Sequence, residues 1–159
     1  MNLKPLVAAV LAAVPSLSAI PASAGQTADE AGTLVCINDK WDEKEPEKGH
    51  KLVDYAGRCV VIRDDAAAEK YTEDCVGKYE YMPDESWKGS GSCSYNFKDK
   101  SDDHLTDTWE EGSHLKEYTY KITGGTGKYK GAKGGGTYMY DQLTDTLSGG
   151  KYKGTLELP

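Results

Sequence analysis

One acid stands where it could do chemistry. Asp107 lies in Leu105-Thr106-Asp107-Thr108-Trp109, and strand alternation sets its carboxyl on the face of Leu105 and Trp109. Between apolar neighbours, desolvation disfavours the charged form, raises the pKa and suits the group to proton transfer. The same carboxyl at a barrel rim would simply accept a hydrogen bond from a Tyr hydroxyl or a backbone amide. Asp107 is the one catalytic candidate, and Asp145 is read as a turn residue. His50, His104 and His114 fall in or near expected loops, where histidines are usually surface groups, and no Ser-His-Asp triad follows from spacing. Gly124-Gly125-Thr126-Gly127-Lys128 fails as a phosphate loop: the position five before Gly127 is Ile122, and Tyr129 stands where Ser or Thr would hold Mg²⁺. No dinucleotide fingerprint follows either, since neither the next glycine spacing nor a helix pattern is present. The acidic run Asp99 to Asp103 lacks the spacing of a calcium loop. No cofactor is expected.

Cys36, Cys59, Cys75 and Cys93 are the other reactive groups. Without Cys-x-x-Cys or a close His pair, a metal centre is not expected. Their meaning depends on compartment. Met1 to Ala24 carries the marks of a secretory signal: Lys4, an apolar core from Leu6 to Ala13, Pro15, and the small-x-small cleavage site Ala22-Ser23-Ala24. The apolar run is too short to span a bilayer as a permanent helix, and no later segment reads as a membrane span. Cleavage near Ala24 would deliver a secreted or periplasmic protein, in which an even number of cysteines reads as disulfides.

The whole chain has 159 residues, with 19 basic and 26 acidic side chains and a net charge of −7. Such a chain is a poor partner for nucleic acid or an anionic membrane. It speaks to no oligomeric state. Phe occurs once and Tyr eleven times, and Tyr brings a hydroxyl that seeks a partner when buried. A barrel with a partly polar lumen accommodates this better than a dry sandwich core.

The elements that would position these groups are strands. Gly25 to Gly32 is small and polar, so residues 25–33 are expected to be a flexible lead-in, with a single domain over 34–159. Leu34 to Asn38 begins it, and the charged stretch Trp41 to Lys51 reads as a loop. Val53, Tyr55, Gly57, Cys59 and Val61 share a face; Val60 and Ile62 take the other, which suggests cover on both sides or a bulge at Gly57. Asp64 to Glu73 is a loop in which Ala66 to Lys70 could make one helical turn. Cys75, Gly77, Tyr79 and Tyr81 share a face, Pro83-Asp84-Glu85 turns the chain, and Trp87 to Phe97 alternates without a break. Inward Gly89 and Gly91 suggest strong curvature. Leu105 to Glu110, Tyr118 to Thr123, Gly134 to Tyr140 and Lys151 to Leu158 follow, with the glycines after Thr123 supplying a tight turn. Leu105 to Thr108 recurs as Leu143 to Thr146, and Gly127 to Gly131 as Gly150 to Gly154. About eight strands, short connections and no long helix predict an all-β, eight-stranded antiparallel up-and-down barrel.

That order selects a disulfide pairing. Four cysteines allow three pairings, but each cysteine sits on its own strand among the first four. Reflection through the Pro83 turn brings Cys75 onto Cys93, and through the Trp41–Lys51 loop Cys36 comes near Cys59. The alternative Cys59–Cys75 pairing would strand Cys36 and Cys93 too far apart. The expectation is Cys36–Cys59 and Cys75–Cys93.

Tyr55-Ala56-Gly57-Arg58-Cys59-Val60-Val61-Ile62, Gly89-Ser90-Gly91, Ile122 to Gly131 and Tyr152-Lys153-Gly154 together resemble the allene oxide cyclase barrel and its dirigent relatives over roughly residues 34–158. The chain would be an exported bacterial relative. The resemblance implies an apolar lumen, which in the plant cyclases folds an unsaturated fatty-acid epoxide and in dirigent proteins orients phenolic radicals. Asn38 and Cys59 match the cyclase pattern, but Cys36 stands where that family keeps a Glu, so the reading leans away from the cyclase activity. Three classes follow: a barrel binding a small apolar or phenolic ligand through Asn38, Tyr55, Tyr79, Tyr95, Trp109, Tyr118 and Tyr120; a cyclase- or isomerase-type enzyme using an acid inside the barrel; and a structural or interaction module of the cell envelope with a filled lumen. Binding is preferred.

Overall fold

The computed structural model describes residues 25–98 and 102–159. The expected signal and part of the acidic run at Asp99 lie outside them. Eight strands follow in chain order: β1 (Gln26–Glu47), β2 (His50–Arg63), β3 (Tyr71–Tyr81), β4 (Trp87–Phe97), β5 (His104–Gly112), β6 (Tyr118–Thr126), β7 (Lys133–Gln142) and β8 (Leu147–Leu158), with one 3₁₀ turn at Gly127–Tyr129. Each pairs antiparallel with the next and β1 with β8, closing a barrel. Closure leaves no sheet edge unpaired. No helix among the described residues is long and apolar enough to cross a membrane.

Alternation decides what faces inward. On β2, Val53 and Val61 are 2% and 1% exposed, while Val60 and Ile62 are 51% and 53% exposed. The strand is therefore covered on one face only, and the outer valine and isoleucine face solvent. The expected bulge exists, but on the opposite strand: β1 gains one residue at Asp39, between the pairs Asn38↔Gly57 and Lys40↔Ala56. Asp39 there accepts two bonds from the Arg58 guanidinium, at 2.7 and 2.8 Å.

Several boundaries differ from the sequence expectation. Residues 25–33 are not a loose lead-in: β1 starts at Gln26 and pairs with β8 from Gln26↔Leu158 to Ile37↔Leu147. Small residues hide this strand from a hydropathy reading, yet its backbone donors and acceptors complete the barrel's ladder. Trp41 to Glu47 is also strand, and the loop shrinks to Lys48-Gly49, with Gly49 at φ 78°. Residues 66–70 form a turn, with Ala68 N donating to Asp65 O, and no helix. Strand β3 re-enters at Tyr71, and β5 runs on to Gly112. Gly124 and Gly125 belong to β6; positive φ occurs instead at Gly127 (56°) and Gly131 (81°). The reason is a bulge at Thr123, which falls between the pairs Thr106↔Gly124 and Asp107↔Ile122, carries the strand past the glycines and delays the turn. The recurring tetrapeptides do not correspond either, since Leu105–Thr108 is strand and Leu143–Thr146 is turn.

Both disulfides form as the strand order requires. Cys36 pairs with Cys59 and Cys75 with Cys93 across neighbouring strands, with Cα separations of 4.0 and 4.1 Å. The two ends of the barrel differ. At one, Phe97, Leu105, Tyr129, Ala132 and Leu156 are buried, and the rings of Phe97 and Tyr129 stack at 4.7 Å. That apolar plug closes the end where the even strands finish. The other end is open.

Candidate functional site

The inward face of the open half encloses a cavity of about 590 Å³. Its wall contains all three Trp and ten of the eleven Tyr. Space for these rings comes from glycine. A Cβ on Gly77 or Gly91 would lie 2.3 or 2.4 Å from Cζ2 of Trp109, so the two cross-strand glycines form the floor on which the indole lies. The inward glycines thus make room for Trp109, a role that curvature alone does not capture.

Every residue expected from the sequence to meet a ligand lines this cavity: Asn38, Tyr55, Tyr79, Tyr95, Trp109, Tyr118 and Tyr120. Asp107 lines it too, at the bulge. Its Oδ2 accepts from Tyr95 Oη at 2.8 Å and its Oδ1 from the Cys93 amide at 3.1 Å. Burial pushes its pKa up to about 6, and those two donors hold it from going higher. Asp145 is in a turn, as expected, and reaches the cavity mouth. The three histidines stay out of the wall; His50 meets Glu80 at 2.9 Å, and His104 contacts Tyr95 O at 3.4 Å.

Three acids and an aromatic were not anticipated. Glu73 on β3 is 8% exposed, lines the cavity and makes no side-chain hydrogen bond among the described residues. Burial first, then the charges of Asp107 and Glu30, push its pKa up to about 8. Glu111 on β5 accepts from Tyr140 Oη at 2.7 Å, Tyr138 Oη at 2.8 Å and Tyr79 Oη at 3.1 Å. Burial raises its pKa, and the three phenol donors oppose the rise. Glu30 on β1 is buried against Arg63 at 3.1 Å, toward the closed half. Trp41, 43% exposed, stands at the mouth with its ring 5.2 Å from that of Tyr79. Alternation continued past the assumed strand ends would have found two of them: Glu73 shares the parity of Cys75, and Glu111 that of Trp109. Trp41 breaks the parity of Cys36 and Asn38, because the bulge at Asp39 shifts β1 by one residue.

Oxygen of Glu73 and the sulfurs of Cys59 and Cys75 lie within 4.8 Å of one another. Both sulfurs belong to disulfides, so they offer no thiolate to an ion. Elsewhere in the wall, Trp109 Nε1 and Tyr120 Oη are buried without a hydrogen-bond partner. Such groups are costly to leave unpaired.

No protein-family model and no curated protein sequence matches the chain. Solved structures do match in shape. The pterocarpan synthase dirigent protein GePTS1 superposes with a TM-score of 0.55 at 10% identity, over 92% of this chain and 99% of that one. The pterocarpan synthase dirigent protein PsPTS1 does so with a TM-score of 0.52 at 10% identity, over 84% and 96%. A pyocyanin demethylase matches more loosely, with a TM-score of 0.45 at 18% identity over 77% and 98%. The closed order of eight strands and the two dirigent superpositions agree, and the chain has the fold of a dirigent-like β-barrel.

Proposed function

We propose that this protein is exported and binds a small apolar or phenolic molecule inside its barrel. One observation carries the reading: a cavity of about 590 Å³ walled by every Trp and almost every Tyr of the chain. That volume falls in the range of small-molecule sites, whose walls are mostly apolar and aromatic with a few placed polar groups. Glu73 and Asp107 in the wall are polar groups of that kind. Asn38, Tyr55, Tyr79, Tyr95, Tyr118 and Tyr120 would supply the remaining contacts. The dirigent-like neighbours fit a ligand-binding barrel. The envelope-module reading required a filled lumen, and the cavity weighs against it.

Native mass spectrometry of protein purified from its own host tests the reading. A co-purified small molecule that leaves on unfolding is expected; a bare polypeptide mass that no added phenol shifts would count against it. Export has its own check: the two disulfides and the sequence of residues 1–24 support it, and the N-terminus of the native protein should be Gly25.

A second reading is favoured by Asp107 and Glu73. With pKa values near 6 and 8, one is mostly ionised and the other mostly protonated at neutral pH, the division of labour that acid–base catalysis uses. An isomerase or cyclase would lose turnover in Asp107→Asn and Glu73→Gln while keeping its ligand; a pure binding protein would turn over nothing in either form.

A further inference from the structure

The cavity wall is one-sided in charge. Glu73, Asp107, Glu111 and Asp145 line it, and among the described residues no Lys, Arg or His does. Basic groups at the open end, Lys51, Lys88 and His50, are tied to Glu43 and Glu80 and take no part in the wall. Glu111 is buried, with three phenol hydrogens on its oxygens. Burial disfavours its charged form and those donors favour it, and no basic group among the described residues of the wall compensates that charge, so a cationic partner would. Around it runs an arc of rings contributed by five other strands. Tyr81 lies 6.5 Å from Trp41 and 6.1 Å from Trp87, Trp87 lies 5.8 Å from Tyr118, and Tyr118 lies 5.5 Å from Tyr140.

Aromatic faces carry negative quadrupole potential, and a carboxylate at their centre adds a full charge. This combination recognises an organic cation. A small inorganic ion is a poor fit. Ca²⁺ wants six to eight oxygen ligands and Mg²⁺ a near-ideal octahedron, whereas one carboxylate among π faces offers neither. An anion would meet four carboxyls and no donor of positive charge.

We propose that the ligand of this barrel is an organic cation, a tertiary or quaternary ammonium with an apolar or aromatic body. Its charged nitrogen sits beside Glu111 under the arc of Trp41, Tyr81, Trp87, Tyr118 and Tyr140. Its body reaches down the lumen toward Trp109. The inference rests on the lumen being a binding site.

Calorimetric titration with two probes of one shape separates the claims: phenyltrimethylammonium, and tert-butylbenzene, its uncharged carbon counterpart. The wild-type protein should bind the cation about tenfold or more tightly than the hydrocarbon. Glu111→Gln, which keeps the size of the side chain and an acceptor oxygen, should weaken the cation about tenfold and leave the hydrocarbon unchanged, which also reports that the variant is folded. Equal affinity for the two probes in the wild-type protein would overturn the cation proposal and leave lumen binding standing. Failure of both probes, and of any added phenol in the mass measurement, would overturn the two together.

Discussion

Gly91 and Trp109 are cross-strand partners, and the indole occupies the space that a side chain on Gly91 would need: a Cβ there would sit 2.4 Å from Trp109 Cζ2 and 2.1 Å from Val76 O. The backbone oxygen cannot rotate aside. Gly91→Ala should therefore destabilise the fold by about 1–3 kcal/mol, as overpacking of a tight site does, and shift the Trp emission. Denaturant unfolding of the variant checks it; a stability equal to wild type would mean that the indole does not rest on this strand.

The two disulfides tie β1 to β2 and β3 to β4. Replacing Cys75 and Cys93 together by Ala should cost about 2–4 kcal/mol, mostly by freeing the unfolded chain. Equilibrium unfolding measures the cost, and non-reducing peptide mapping reads the connectivity directly. A Cys59–Cys75 peptide would contradict the barrel order.

Stability should fall as pH rises between about 5 and 8. In the unfolded chain Asp107 and Glu73 titrate near pH 4; in the folded chain burial moves them to about 6 and about 8. The folded state thus holds more protons across this window, and its stability contribution is complete below the unfolded values and lost through the folded ones. Glu30 and Glu111, also raised, act in the same direction. Carboxylates lowered by surface partners, such as Asp39 and Glu80, act only at more acid pH. The melting temperature should be higher near pH 5.5 than near pH 8.5, and Glu73→Gln should flatten the slope. A melting temperature that climbs with pH across this range would refute the burial of these acids.

The barrel was legible because its strands alternate so cleanly: Trp87 to Phe97 or Tyr152 to Leu158 fits no helix. The pairing of cysteines followed from strand order alone, and Asp107 followed from parity with Leu105 and Trp109. What escaped was non-local. Strand at Gln26–Gly32 is dictated by β8 across the seam and not by its own small residues. The glycines at 77 and 91 announce an empty face, but only the fold reveals that Trp109, on the strand next to Gly91 and two strands from Gly77, fills it. Glu73 and Glu111 were lost at misplaced strand ends, where charge density outweighed a parity that was in fact continuing, and Trp41 was lost because the bulge at Asp39 shifts the parity of β1.

The central claim is that a small molecule enters the aromatic lumen, and the indole N–H signals of Trp41, Trp87 and Trp109 report on it most directly, since all three line the cavity. In a ¹⁵N–¹H spectrum, titration with 4-propylphenol or phenyltrimethylammonium should move all three indole signals saturably, Trp109 at the floor included, while amides on the outer faces of the strands stay in place. Saturable shifts confined to outer-face amides, with the three indoles unmoved, would contradict a lumen that binds.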